Sequence, residues 1–300
     1  VAVDDLARLD RLAPGQLDLR LRSPRDPAEG ERRLTIYRVG ERLLLSDVLP
    51  VLQHMGVDVL DERPYEIDRI GAPMAWVYDF GLASPSDEVP FAGTLPERFT
   101  DTVTAVWAGR TEDDGLNALV LRAGLTWRQV AVLRAYVQWL RQGGLSFGQG
   151  YVQQTLAAHP GIVARLVALF ETRFHPDRAA GRESRTEALV ASLTDAIGEV
   201  ASLDADRVLT ALLAAVRATL RTTAYTADVV AGRAPLALKL DPTSVPDLPE
   251  PRPAREVWVS SPRVLGVHLR FGAVARGGLR WSDRREDLRT EVLGWSRPRR

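Results

Sequence analysis

A stretch near the C-terminal end decides how this sequence is interpreted: Val267-His-Leu-Arg-Phe-Gly-Ala-Val-Ala-Arg-Gly-Gly-Leu-Arg280. At its start, apolar Val267 and Leu269 alternate with polar His268 and Arg270. This period-2 alternation predicts a half-buried strand at the edge of a sheet.

The strand is expected to break at Gly277-Gly278, which Arg276 and Arg280 flank. Residues without a Cβ let a backbone pass close to a bound ligand. The two guanidinium groups are planar and permanently charged, which suits carboxylates. The pattern therefore predicts a small anionic ligand, although a Gly-Gly pair between arginines is also typical of a solvated turn.

Composition sets the outer limits of the interpretation. The 300 residues are 45% hydrophobic, which is enough for about two domains. Basic and acidic residues number 39 each, so no overall field favours nucleic acid or an acidic membrane. Lys239 is the only lysine, and there is no cysteine, which excludes disulfides and thiolate catalysis.

Location and completeness follow from weaker signals. The sequence has no run of 18 apolar residues and no signal peptide, so we expect a cytoplasmic protein without a membrane segment. We also expect a fragment, because the first residue is Val1 rather than methionine.

Residues 14–82 read as a small α+β module. Two alternating segments, a helix that Ser46 is expected to cap and Gly56 to end, and two further strands predict a ferredoxin-like arrangement. Such a fold is equally compatible with a regulatory role and with a purely structural one.

Residues 97–222 then change to helical periodicity and predict an all-helical domain packed through short loops. The predicted core residues are Trp107, Leu133, Leu166, Ile197 and Leu212. A proline-rich segment from about residue 222 to 255 predicts a stiff, extended connector, and residues 235–300 a strand-rich third region.

A longer version of the opening stretch, Ala275-Arg-Gly-Gly-Leu-Arg-Trp-Ser-Asp-Arg-Arg-Glu-Asp-Leu-Arg-Thr-Glu-Val-Leu-Gly294, resembles the start of the catalytic domain in the large, NAD-specific bacterial glutamate dehydrogenases. The segments at 45–52, 61–67, 239–249 and 261–270 are similar to the same family. The resemblance covers nearly the whole chain.

The resemblance implies an ACT-like regulatory module, a helical domain and a truncated start of the catalytic domain, in that order. It implies that Arg276, Gly277, Gly278 and Arg280 bind the carboxylates of L-glutamate or 2-oxoglutarate. It further implies NAD as cofactor of the whole enzyme, a homo-oligomer, and an amino-acid effector at the ACT-like module.

The catalytic part of the resemblance is incomplete. Relatives continue after the position of Gly294 into a lysine-bearing helix, whereas this chain reads Trp295-Ser-Arg-Pro-Arg-Arg300. Without those lysines no titratable group is expected at the reacting carbon, so the chain itself is predicted to be inactive. No catalytic residue, cofactor-binding residue or metal ligand is assigned.

Two other interpretations concern function and charge. A regulatory or oligomerisation scaffold with no catalysis of its own is the alternative from a different class, and nucleic-acid binding is disfavoured.

The mixed charges of residues 283–291, which include Arg284, Arg285 and Arg289, predict a solvated, salt-bridged face.

Overall fold

The computed structural model describes residues 2–22, 31–83, 93–246, 248–272, 274–280 and 287–295. The chain divides into two compact units, Val1–Trp127 and Arg128–Arg300. A sheet, a run of helices and a second sheet follow one another along the chain, which confirms the predicted α+β class. The three-domain division at 14–82, 97–222 and 235–300 stays a prediction.

The first unit has four strands: β1 (Leu17–Arg22), β2 (Glu31–Val39), β3 (Asp58–Ile67) and β4 (Ala75–Ala83). Its described α-helices are α1 (Ala2–Leu9), α2 (Leu45–His54), α3 (Leu95–Trp107) and the short α4 (Leu119–Arg122).

The sheet of this unit has the strand order β1-β2-β4-β3, and all neighbours are antiparallel. The segment β2-α2-β3 is therefore a split βαβ unit, with β4 inserted between its two parallel strands. Strand β1 extends the sheet on the other side of β2, and α3 packs against it. The predicted ferredoxin-like arrangement is thus present, with its outer strand β1 placed first in the chain.

Helix α1, which the sequence analysis did not predict, packs on one face of this sheet. Leu9 shares a buried cluster with Tyr37, Val39 and Val77. The phenol of Tyr37 donates a hydrogen bond of 2.6 Å to Asp5. An apolar contact and a polar one together attach the helix to β2.

The boundaries of α2 differ from the prediction at one end. Leu44 is the N-cap, no side chain caps the helix, and Ser46 lies inside its first turn. At the other end Met55 is the C-cap and Gly56 follows at φ 76°, as expected for the left-handed position after a helix. A Cβ on Gly56 would lie 2.9 Å from the Cβ of Ala118, so close packing also requires glycine there.

The second unit contains a run of helices: α5 (Trp127–Gln142), α6 (Gln149–Ala158), α7 (Pro160–Phe174), α8 (Arg182–Gly198), α9 (Leu203–Ala218), the short α10 (Ala227–Val230) and α11 (Leu288–Trp295). Its strands are β5 (Thr219–Thr222), β6 (Leu236–Leu240), β7 (Arg255–Ser260), β8 (Leu265–Phe271) and β9 (Val274–Arg280).

Most of the predicted helical core is confirmed. Leu133, Leu166, Ile197 and Leu212 are each at most 3% exposed, whereas Trp107 is only half-buried. A further prediction was wrong. The connector contains α10 and a 3₁₀ turn at Pro242–Ser244 rather than a continuously extended chain.

The second sheet is an antiparallel meander in the order β5-β6-β7-β8-β9. Strand β8, expected at an edge, lies inside this sheet, and among the described strands β5 and β9 form its two edges. Alternate residues give the sheet a buried face, which includes Leu238, Trp258 and Leu269, and a face that is largely open. Helix α5 contacts the buried face, because Trp139 and Gln138 hydrogen-bond Glu256 and Ser260 of β7.

Candidate functional site

The four predicted ligand-binding residues all lie on β9. The strand continues through both glycines: Arg276 pairs with Leu269, Gly277 with His268 and Gly278 with Val267. The expected break at Gly277-Gly278 is therefore wrong. Hydrogen bonding to β8 keeps the backbone extended, and the two glycines form no loop.

Strand pleating separates these residues onto two faces. Arg276, Gly278 and Arg280 lie opposite residues of the buried face, since Leu269, Val267 and Leu265 are at most 3% exposed. Gly277 lies on the other face, beside the exposed His268. The two arginines are thus brought together with one glycine and not with both.

The need for glycine at position 277 has a packing explanation. A Cβ there would lie 3.0 Å from the carbonyl oxygen of Val267 and 3.1 Å from Cδ2 of His268. The close approach that the sequence predicted therefore exists, but it is between β9 and its neighbour β8.

Arg280 is engaged by α11. Its guanidinium contacts Asp287 at 2.8 Å and also Glu291, and its side chain is 18% exposed. Asp287 immediately precedes α11 and Glu291 lies within it, so this arginine ties the end of β9 to the first half of that helix. Arg280 would have to exchange these partners before it could bind another anion.

Arg276 has no comparable partner among the described residues. Its side chain is exposed, and the one acceptor it contacts there is the carbonyl of the adjacent Ala275, at 3.2 Å. Within the described part of the chain it makes no ion pair. Of the two predicted cations, Arg276 is the one available to a carboxylate.

A buried ionic group lies on the same side of the sheet, and sequence reasoning missed it. The Nε of Arg289 donates to both carboxylate oxygens of Glu256, at 3.0 and 3.1 Å, and Trp139 Nε1 donates to one of them at 2.9 Å. Gln142 accepts a hydrogen bond of 3.0 Å from the backbone N–H of Arg289. These contacts join α5, β7 and α11.

The prediction of a solvated face is therefore wrong for Arg289, which is 1% exposed. Arg284 and Arg285 lie outside the described residues. The strand pattern Glu256-Val-Trp-Val259 gave the available signal, because Glu256 shares its period with apolar Trp258. A charged residue at an inward position requires a partner, and Arg289 supplies it.

Burial is the main influence on the carboxyl group of Glu256. Removal from water raises its pKa, while the contacts from Arg289 and Trp139 act in the opposite direction. Arg289 and Trp139 both donate hydrogen bonds to this carboxyl group. Glu256 and Arg289 therefore form a buried ion pair that holds α11 against β7.

Other classes of site find no support in the described ranges. No group of three His, Cys, Asp or Glu side chains within them has the spacing of a metal site. Lys239 of β6 pairs with Val257, so it lies on the open face, opposite to that of Arg276. None of the helices in the described ranges has both the length and the apolar character needed to cross a membrane.

Three family models match successive segments of the chain. Residues 16–93 match the ACT3 domain of glutamate dehydrogenase, and residues 111–176 match its helical motif 3. Residues 192–299 match the catalytic domain of bacterial NAD-glutamate dehydrogenase. The order of these matches is the order in which the resemblance predicted the regions.

Curated relatives give the same result. The chain is 45% identical to a protein named NAD-specific glutamate dehydrogenase from Mycobacterium tuberculosis, over 98% of this chain and 18% of the relative. Proteins of the same name from Halomonas elongata and Pseudomonas aeruginosa are 43% and 42% identical, over 87% and 89% of this chain. The chain spans less than a fifth of the length of each of these relatives.

Proposed function

Because the chain is homologous to a segment of the NAD-specific glutamate dehydrogenases, we propose that it forms part of an enzyme that oxidises L-glutamate to 2-oxoglutarate and ammonia. The observation that carries this proposal is the 45% identity, which extends over 98% of the chain. NAD is the proposed cofactor of the whole enzyme and accepts the hydride when bound.

We assign substrate binding to the arginines and glycines of β9. Arg276 is exposed and without an ionic partner among the described residues, so its guanidinium is free to pair with a substrate carboxylate. Gly278 stands between Arg276 and Arg280 on that face and leaves space without a side chain. Gly277 supports this geometry by letting β8 and β9 approach closely.

The 300 residues are proposed to bind but not to turn over substrate. Their one lysine, Lys239, lies on the opposite face of the sheet from Arg276, so it cannot reach a carboxylate held there. Proton transfer needs a titratable group within hydrogen-bond distance of the reacting atoms. We expect no glutamate-dependent NADH production by the isolated chain.

A segment exchange tests the function directly. Residues 14–294 would replace the corresponding segment of the Mycobacterium tuberculosis relative, and NADH production with L-glutamate would be measured. We expect the hybrid to be active, and Arg276→Ala in it to lower kcat/KM about 10- to 100-fold, the effect of losing a charged hydrogen bond of about 1.5–3 kcal/mol.

Arg263→Ala is the matched control, because Arg263 is an exposed arginine of the β7–β8 turn. It should leave kcat/KM unchanged. A folded hybrid that is inactive would contradict the proposal. Equal losses in the Arg276 and Arg263 variants would remove Arg276 from the substrate site.

The first unit is proposed to bind an amino-acid effector, on the strength of its match to an ACT domain and its ferredoxin-like sheet. Thermal unfolding of the chain in the presence of each common amino acid tests this. A rise in Tm with one amino acid supports the proposal, since a ligand that binds only the folded state stabilises it.

A further inference from the structure

The open face of the second sheet carries a continuous set of residues from all five strands. The strand registers place Arg221, Lys239, Val257, His268 and Gly277 in one row across the sheet. At about 4.8 Å between neighbouring strands, this row is roughly 19 Å long.

Two further rows flank it. One contains Arg255, Arg270 and Ala275, and the other Ala237, Val259, Gly266 and Leu279. On β6 and β7 the side chains of the opposite face are buried, whereas on the open face His268 and Arg270 are exposed and Leu279 is 63% exposed. We call the three rows together the open face.

The charge of the open face is one-sided. It carries Arg221, Lys239, Arg255 and Arg270, and none of its strand residues in the described ranges is acidic. The whole chain, by contrast, has equal numbers of basic and acidic residues. The excess of positive charge is therefore a property of this face and not of the chain as a whole.

Most of these cations are uncommitted. Arg255 pairs with Asp241 at 3.0 Å, which lies beyond the end of β6. Arg221, Lys239 and Arg270 form no ion pair with any residue that the structure describes. Three fixed positive charges are therefore available to a partner.

One flanking row of the open face is apolar, and Val257 of the middle row lies beside it. Val257 and Val259 are half-buried and Leu279 is largely exposed. A partner must therefore combine an apolar stripe with carboxylates at its margins. A helix packed on a sheet is one of the stable ways of burying an apolar sheet face.

We propose that the open face is the docking surface for an acidic amphipathic α-helix of a protein partner. Glutamates or aspartates on the rim of that helix pair with Arg221, Lys239 and Arg270, and its apolar stripe packs on Val257, Val259 and Leu279. A nucleic acid fits less well, because among the described strand residues of this face His268 is the only aromatic ring that could stack a base. A pleated sheet surface also lacks the concave shape that small molecules require.

The single lysine makes a direct test available. The probe is an 18-residue helical peptide with leucines along one face and glutamates on both rims, added to the 300-residue chain. A bound helix should protect the amine of Lys239 from acetylation at least fivefold, measured by mass spectrometry. The amine of Val1 serves as the internal reference and should acetylate at an unchanged rate.

Charge-reversal variants locate the site. Lys239→Glu and Arg270→Glu should each weaken peptide binding at least tenfold, whereas Arg263→Glu, outside the open face, should change it less than twofold. Circular dichroism shows whether each variant is folded. If the reversed charge impairs folding, Arg270→Gln repeats the test with a neutral side chain. The same peptide with glutamines in place of glutamates should bind at least tenfold more weakly.

Several results would overturn the proposal. Unprotected Lys239 at saturating peptide, or equal binding by the Arg270→Glu and Arg263→Glu variants, would place the peptide elsewhere. Absence of peptide binding would reject the surface as a helix site. A single-stranded DNA oligonucleotide that protects Lys239 where the peptide does not would identify a nucleic-acid surface instead.

Discussion

The Nε of Arg289 donates to both carboxylate oxygens of Glu256, at 3.0 and 3.1 Å, and the two residues are 1% and 0% exposed. This pair connects α11 with β7 in the interior of the second unit. The same helix supplies Glu291 to Arg280, and Asp287, which directly precedes the helix, is the second carboxylate partner. The buried pair therefore also sets the position of the helix that engages one of the proposed substrate cations.

Removing the cation of this pair should be severely destabilising. Arg289→Met leaves the carboxylate of Glu256 buried without its charged partner, which costs about 3–5 kcal/mol. Adding Glu256→Gln removes the orphaned charge and keeps an acceptor for Trp139, so the double variant should recover most of that loss. Urea unfolding of the wild-type chain and of these two variants measures both effects. A double variant no more stable than Arg289→Met would show that burial of charge is not the cause.

Leu133 tests the core of the helical region. It is 1% exposed on α5, and Leu133→Ala should lower the free energy of unfolding by about 2–5 kcal/mol through lost burial and a residual cavity. Leu203→Ala is the matched control, because Leu203 is 64% exposed at the start of α9. Its effect should stay within about 0.5 kcal/mol in the same urea titration.

Gly277→Ala tests whether glycine is required by the sheet. The added Cβ would meet the Val267 carbonyl at 3.0 Å, so β8 and β9 must separate, at about 1–3 kcal/mol. Gly150→Ala, inside α6 with nothing within 4 Å of its Cβ, should be neutral or stabilising. If the two variants unfold at the same urea concentration, glycine at 277 serves no packing role.

The phenol of Tyr37 should lose its proton at a higher pH than an ordinary tyrosine. Burial, and then the hydrogen bond to Asp5, raise the pKa of Tyr37 from 10.0 to about 12. The unfolded state therefore ionises first, and this residue's contribution to stability, complete below pH 10.0, is lost as the pH rises to about 12. The difference in tyrosinate absorbance between the wild-type chain and Tyr37→Phe should show a midpoint near pH 12. A midpoint at pH 10.0 would mean that the phenol is not buried.

The sequence by itself determined the classes of structure and their order. Alternation in Leu17–Arg22 and around Val267 marked strands, and apolar spacing along 127–142 and 160–174 marked helices. These patterns are local, because a strand or an amphipathic helix repeats its contact with the core every two or three to four residues. Similarity to the glutamate dehydrogenases was equally readable, since contiguous runs of residues carry it.

Only the tertiary structure decided what the charged residues do. Arg276, Arg280 and Arg289 look alike in the sequence, yet one is exposed and unpaired among the described residues, one is held by α11 and one is buried against Glu256. Likewise, pleating and strand register, and not spacing, placed Gly277 and Lys239 on the face opposite Arg276. An arginine's partner and the face of a sheet that it occupies depend on segments far away in sequence, which no local pattern of residues can specify.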